Sequence, residues 1–305
     1  MATTKKSKGL TEKKRTALSA YLFISPFFIL FAIFGLFPMI FSFYLSFFRW
    51  DGLNAMEFNG WKNFSFIFND PVFFSSIKNT FLIGIMGTVP QIVAALLIAF
   101  ALNSALLRFR NTFRTLVFLP YITSIVSVAI IFGLIFNNQP FGFANYFLSF
   151  FDIGPIRWNA EYWPVKIAIA TMVFWRWVGY NTIIFLAGMQ SIPRELYEAA
   201  KIDGATVGQQ IRLITLPMLK PITMFVVFTA TIGSLQLFTE PLIFLGRGLR
   251  EEGITMVAYL WRDAFVYNSF GTASAAAIVL FFIIITLTAI NLLITNQLGR
   301  SKKVS

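Results

Sequence analysis

The chain has 305 residues, 57% of them hydrophobic and only 12% charged, with 25 Lys and Arg against 13 Asp and Glu. Soluble globular domains carry about 25% charged residues, so this composition, with 38 Phe and a mean hydropathy of +0.72, belongs to a chain that meets lipid. Cys and His are both absent, which excludes a disulfide frame, a thiol nucleophile, the commonest general base and the commonest transition-metal ligands.

Charge-free runs mark the spans in chain order. The first, Thr16–Phe48, far exceeds the roughly 7–15 apolar residues of a cleaved signal segment. It is expected to stay as a membrane helix near 20–48, and Pro26 and Pro38 mark it for a late start or a kink. Asn79–Leu107 gives a second helix near 80–103, and Thr115–Phe151 a third near 116–136. After Pro140 comes FGFANYFLSFF, Phe141–Phe151, too short to cross and expected at the outer headgroup level as a lipid anchor. Ile167–Ser191 carries Arg176 as its one charge and predicts a helix near 166–189. Pro221–Gly246 carries only Glu240 and predicts one near 222–245, and Ala264–Gly299 predicts the last near 273–295. A membrane helix needs about 20 mainly apolar residues, so each run holds one span. The expected fold class is an all-α integral membrane protein with six transmembrane helices.

Lys and Arg orient it. With the N-terminus inside, the segments 1–19, 104–115, 190–221 and 296–305 share one face and carry sixteen basic and four acidic residues. The other face carries eight of each. An excess of Lys and Arg marks the cytoplasmic side, so both termini are expected there. Because these cations sit as membrane flanks, they do not point to nucleic acid.

One cytoplasmic stretch, LYEAAKIDGATVGQQIRLITLP (Leu196–Pro217), is polar and studded with Ala and Gly. Pro193 suits the first turn of a helix, with Leu196, Ala199 and Ala200 on one face, and Gly204 suits its left-handed end. Thr206 with Gln209 fits a capping box opening a second helix, striped by Val207, Ile211 and Ile214. The two form a helix–turn–helix whose small residues let a partner approach closely. A pair of surface helices among lipid headgroups is the plainer alternative.

The pattern Glu198-Ala199-Ala200, Gly204, Ile214, Leu216-Pro217 resembles the EAA loop of the binding-protein-dependent (type I) ABC importer permeases. FRTLVFLPYI (Phe113–Ile122), LAGMQSIPRELYEAAKIDGA (Leu186–Ala205), YLSFF (Tyr44–Phe48) and LQLFTEP (Leu235–Pro241) resemble its oligosaccharide branch. The resemblance implies a MetI-like permease core over about 75–292, an EAA coupling loop at 190–221, and a multi-pass place in the bacterial cell membrane. It implies Glu198, Ala199, Ala200, Asp203 and Gly204 as contacts to an ATPase subunit. It also implies a second permease chain, two ATPase subunits that bind ATP and Mg²⁺, and an extracytoplasmic sugar-binding protein. No cofactor is expected on this chain, which has no Gly-Lys pair for a phosphate-binding loop. The stretch LGRGLREEG (Leu245–Gly253) departs from the Gly-Gly-Pro common in that family.

Sugars are gripped by aromatic faces and by groups that both donate and accept hydrogen bonds, and transport sites lie near the midplane. Trp175, Trp177, Tyr180 and Asn181 of the fourth span, and Ser234, Gln236, Thr239 and Glu240 of the fifth, are the candidates for the path; lipid contact and interhelical bonding are the alternatives. Arg176 and Glu240, the two charges within spans, are candidates for a pair, for cavity lining, or for contact with a second permease. Two other classes fit less well. An ion-coupled transporter would have Glu240 as its only coupling acid, and a membrane-embedded enzyme would lack His and Cys. A permease for another solute shares the EAA loop but not the sugar-branch wording.

Overall fold

Lipid-compatible runs become helices wherever nothing interrupts their backbone bonding, because a bilayer offers no partner for a free N–H or C=O. The computed structural model describes residues 12–104, 108–246 and 248–300. The basic segment 1–11 and the tail 301–305 lie outside the described residues, as does Arg247 within the Leu245–Gly253 loop.

α1 (Glu12–Phe31), a π-helical turn (Ala32–Leu36) and α2 (Phe37–Leu45) make one apolar span. The helix therefore starts before residue 20. Pro26 is carried inside α1, and the wider turn precedes Pro38 at the start of α2. A two-residue hairpin, β1 (Phe48–Arg49) and β2 (Glu57–Phe58), pairs Phe48 with Phe58. α3 (Lys62–Asn69) follows, then α4 (Pro71–Asn103). α4 begins nine residues before the expected 80 because the Asp70 carboxylate caps the Val72 N–H at 2.9 Å and Pro71 takes the first helical position, where its missing N–H is harmless.

The third expected span is not one helix. α5 (Arg110–Ile122) and α6 (Ile125–Ile135) meet at 91°. Pro120 removes one backbone bond from the end of α5, and Thr123 and Ser124 then run extended with ψ of 141° and 127°. Neither piece has the length to cross alone. α7 (Phe143–Ser149) turns Phe141, Phe143, Phe147 and Phe150 outward. Its buried Asn145 ties the surrounding loops through the carbonyls of Asn137 and Ile156 and the Trp158 indole.

α8 (Tyr162–Gln190) lies along α4. α9 (Arg194–Ile202), α10 (Val207–Gln210), a second π-helical turn (Ile211–Thr215) and α11 (Leu216–Met218) form the polar excursion. α12 (Lys220–Leu235) and α13 (Thr239–Leu245) together form the fifth span, Lys220–Leu245, close to the expected 222–245 and interrupted at 236–238. Pro241 therefore sits in the first turn of a new helix, not inside an old one. α14 (Met256–Phe265) and α15 (Phe270–Arg300) complete the chain. Among the described residues, five helices are long and apolar enough to cross a membrane, and the α5–α6 pair is a bent sixth.

Small residues let these helices approach. Ala95 and Ala99 of α4 pack with Phe185 and Met189 of α8 and Leu219 and Val226 of the α12 region. A Cβ at Gly179 of α8 would strike the Val117 carbonyl of α5. That crossing places the residues around Gly179 against α5.

Candidate functional site

Between α4, α5, α8 and α12 lies a cavity of about 220 Å³. Its wall takes Thr88 and Gln91 from α4, Tyr121 from α5, Val173, Trp177, Tyr180 and Asn181 from α8, and Thr229, Ala230, Gly233 and Ser234 from α12. Three rings form one aromatic corner. Tyr121 stacks on Tyr180 with centroids 4.5 Å apart, and Trp177 lies 5.3 Å from Tyr121 and edge-on to Tyr180 at 5.7 Å. Opposed to these faces are amides and hydroxyls. Gln91 is 1% exposed and its Nε2 has no hydrogen-bond partner; an unmet buried amide costs about 1–3 kcal/mol, which a ligand acceptor would relieve. The cavity thus combines flat apolar faces with hydrogen-bonding groups and has no charge among its lining residues.

Of the sequence candidates, the structure brings Trp177, Tyr180, Asn181 and Ser234 to this wall. Trp175 leaves it, facing outward with its ring 5.6 Å from Phe132. Gln236 is exposed at the break between α12 and α13. Thr239 and Glu240 lie on α13, which packs on α6 and α8, and Glu240 is buried away from the cavity wall. Of the alternatives open for Arg176 and Glu240, pairing is not made: among the described residues the one ion pair within 4.0 Å is Arg262–Asp263. The break at 236–238 carries Glu240 onto a separate short helix. Arg176 acts on it only electrostatically, and its own Nε and Nη1 are buried without partners. Thr88, Gln91, Tyr121 and Thr229 were not singled out from the sequence. The signal for Gln91 is its place as an amide within an apolar, charge-free run.

At one end of α8 the polar excursion stands clear of the spans. Gly204 adopts φ +77°, the left-handed turn that ends α9, and Thr206 and Gln209 form the capping box. α9 begins at Arg194, one residue later than expected, with Pro193 as its cap residue. Glu198, Ala199, Asp203 and Gly204 are exposed and Ala200 is half-buried. On the face shared by Leu196, Ala199 and Ala200, the first two are exposed, while Tyr197 and Ala200 are the half-buried residues of α9. The expected stripe is kept only in part: Ile211 and Ile214 are half-buried, while Val207 is exposed. The π-helical turn beginning at Ile211 shifts the register, so Gln210 and Thr215 are buried instead.

At the other end of α8 the segment 250–256 is bonded from several sides. Asn79 Nδ2 donates to the carbonyls of Glu251 and Ile254, and Ser75 Oγ to the Glu251 carboxylate. Lys166, fully buried, donates to the carbonyls of Glu252 and Tyr162. Thr80 Oγ1 accepts the Met256 N–H, and Thr255 Oγ1 donates to the Leu237 carbonyl at the α12–α13 break. Beside it, Tyr259 donates to Asp70 at 2.7 Å, burial pushing its hydroxyl pKa well up. Burial likewise raises the Asp263 carboxyl to about 6, against the pull of Arg262 at 3.4 Å.

Residues 91–298 match the family described as "Binding-protein-dependent transport system inner membrane component". The arabinooligosaccharides transport system permease protein AraP of Halalkalibacterium halodurans is 34% identical over 295 residues, covering 96% of this chain and 93% of that one. The lactose transport system permease protein LacF of Rhizobium radiobacter is 35% identical over 292 residues, covering 94% and 96%. In three dimensions the chain is similar to a chain of a bacterial ABC transporter involved in importing the acidic polysaccharide alginate, with a TM-score of 0.78, 25% identity, and coverage of 95% and 98%. The alginate transporter in complex with its pentasaccharide-bound periplasmic protein is also similar, with a TM-score of 0.76, 26% identity, and coverage of 94% and 95%. Matched over more than half its length, and with such relatives, the chain belongs to the inner-membrane components of binding-protein-dependent transport systems.

Proposed function

We propose that this chain is the permease subunit of an ATP-driven oligosaccharide importer, supplying half of the translocation path beside a second, non-identical permease. It makes and breaks no bonds. ATP and Mg²⁺ act on two separate ATPase subunits, and a sugar-loaded extracytoplasmic binding protein delivers substrate to the face opposite α9. Both termini and α9 lie on the cytoplasmic side, as the basic excess of 1–19, 104–115, 190–221 and 296–305 requires. The permease core runs over 75–292.

The observation that carries this reading is the exposed α9–α10 pair, whose one left-handed turn falls at Gly204 of the EAA pattern. Ala199 and Ala200 allow a groove on the ATPase to close on the helix. Glu198 and Asp203 offer acceptors to its donors, and Gly204 makes the turn. ATP-driven closure of the ATPases moves α9 and, through it, the spans. The cavity supports a carbohydrate. The Tyr121, Trp177 and Tyr180 rings fit the C–H face of a pyranose, while Gln91, Asn181, Thr88, Thr229 and Ser234 suit its hydroxyl rim. The transport of arabino-oligosaccharides, lactose and alginate by the similar proteins supports the same class.

The test is ATP hydrolysis by the complex reconstituted in lipid, with and without sugar-loaded binding protein, comparing the native chain with Gly204→Asp. A residue with a side chain is strained at φ +77°, and it would also add bulk and charge at the seat. Loss of stimulation is expected. Unchanged stimulation would reduce α9 and α10 to ordinary surface helices and remove the main support of the reading.

A further inference from the structure

α9 is held to the spans by very little. None of its nine residues is fully buried, and Ile202 is 87% exposed. Its one half-buried large side chain is Tyr197, which packs on the cluster of Phe185, Met189, Leu219 and Val226. The Tyr197 hydroxyl lies 2.9 Å from Thr215 Oγ1, the one side-chain hydrogen bond joining α9 to another element among the described residues. Thr215 is 4% exposed and ends the π-helical turn Ile211–Thr215. Thr215 Oγ1 also lies 3.4 Å from the Gln210 carbonyl, and either hydroxyl of the Tyr197–Thr215 pair can donate to the other. From there the path is backbone: the Thr215 carbonyl accepts the Leu219 N–H at 2.9 Å, and Leu219 leads directly into α12. α12 in turn carries Thr229, Ala230, Gly233 and Ser234 of the cavity wall.

We infer that Tyr197 is a positioning residue for coupling: its hydroxyl, bonded to Thr215 across the π-helical turn, makes α9 and the start of α12 move as one body. The apolar contact of the ring sets where α9 lies. The hydroxyl sets whether a displacement of α9 is passed to α12 or taken up by the turn. π-helical turns recur at functional sites, and a cross-brace at the end of this one ties the elements on its two sides together. This inference rests on the importer reading above.

The experiment measures sugar transported per ATP hydrolysed in proteoliposomes holding the full complex, for the native chain, Tyr197→Phe, Thr215→Val, the double variant and Thr215→Ser. Tyr197→Phe keeps the ring, so assembly with the ATPase, read by co-purification, is expected to persist. Transport per ATP is expected to fall about fivefold, the weight of one net hydrogen bond. Thr215→Val should match it, the double variant should be no worse than either, and Thr215→Ser, which keeps the oxygen, should retain native coupling. Native transport per ATP in Tyr197→Phe, or losses that multiply in the double variant, would overturn the brace while leaving the importer reading intact. A native complex whose hydrolysis ignores sugar-loaded binding protein would overturn both.

Discussion

The two ends of α8 are built in opposite ways. At its start, the segment 250–256 is strapped to α4, to α8 and to the α12–α13 break by Asn79, Ser75, Thr80, Lys166 and Thr255. At its end, α9 to α11 are mostly exposed, held together by the Tyr197–Thr215 bond and the caps of their own turns and resting on the spans through Tyr197 and Ile214. Both regions are polar interruptions of an apolar chain, so composition does not separate them. What differs is where their hydrogen bonds go. The first sends them outward to three spans and behaves as part of the spans. The second keeps them local, which leaves it free to shift as a unit at little cost, as a moving element must.

The comparison breaks first at Asn79. Asn79→Leu removes the donor to two carbonyls, that of Ile254 wholly buried, and is expected to cost about 3 kcal/mol. Thermal unfolding in detergent would show it, with early proteolysis in 250–256. A native unfolding midpoint would mean the straps are ornamental.

Next comes pH at the strapped end. Burial raises the Asp263 carboxyl from 3.8 to about 6 in the folded chain. Its protonated form is therefore the favoured one, and the stability it brings is complete below about 3.8 and lost as pH rises through about 6. The effect is at most on the order of 3 kcal/mol, reduced by solvent screening of a group not wholly buried. Unfolding midpoints across pH 4–7 should fall with rising pH, and Asp263→Asn should flatten that slope; an unchanged slope in the variant assigns the dependence elsewhere.

The loose end predicts smaller losses. Thr206→Ala removes the capping box and should cost about 1 kcal/mol, read as a lower unfolding midpoint or as fraying of α10 in hydrogen exchange. Ile202→Ser, at a side chain 87% exposed on α9, should change stability by less than about 0.5 kcal/mol yet weaken co-purification with the ATPase. If Ile202→Ser destabilised the isolated chain as much as Asn79→Leu, the contrast between the two ends would collapse.

Much of the layout was legible in the sequence. Charge gaps located the spans, although α1 and α4 begin eight and nine residues earlier than expected, because a buried charge in lipid is costly whatever the fold around it. The turn at Gly204 and the capping box at Thr206 and Gln209 were legible too, since caps are contacts over three or four residues. The 91° break after Pro120 was harder to see, because that proline sits in an apolar run no different in composition from the unbroken one around Pro90.

The cavity was legible by half. Trp177, Tyr180, Asn181 and Ser234 stood out as polar or aromatic residues in spans, while Trp175 and Gln236 stood out equally and face elsewhere. Which side of a span faces its neighbours depends on how it rotates and how closely it packs. Gly179 against the Val117 carbonyl sets this for α5 and α8, and no local pattern encodes it. The sequence by itself determined where the apolar spans lie, where the turns fall and which loop is polar and studded with small residues, because hydropathy, charge and capping act over short range. The tertiary structure alone decided that Gln91 and Tyr121 share a wall with Tyr180, that Arg176 and Glu240 stay apart, and that Tyr197 braces Thr215, because those meetings are set by packing between helices distant in the chain.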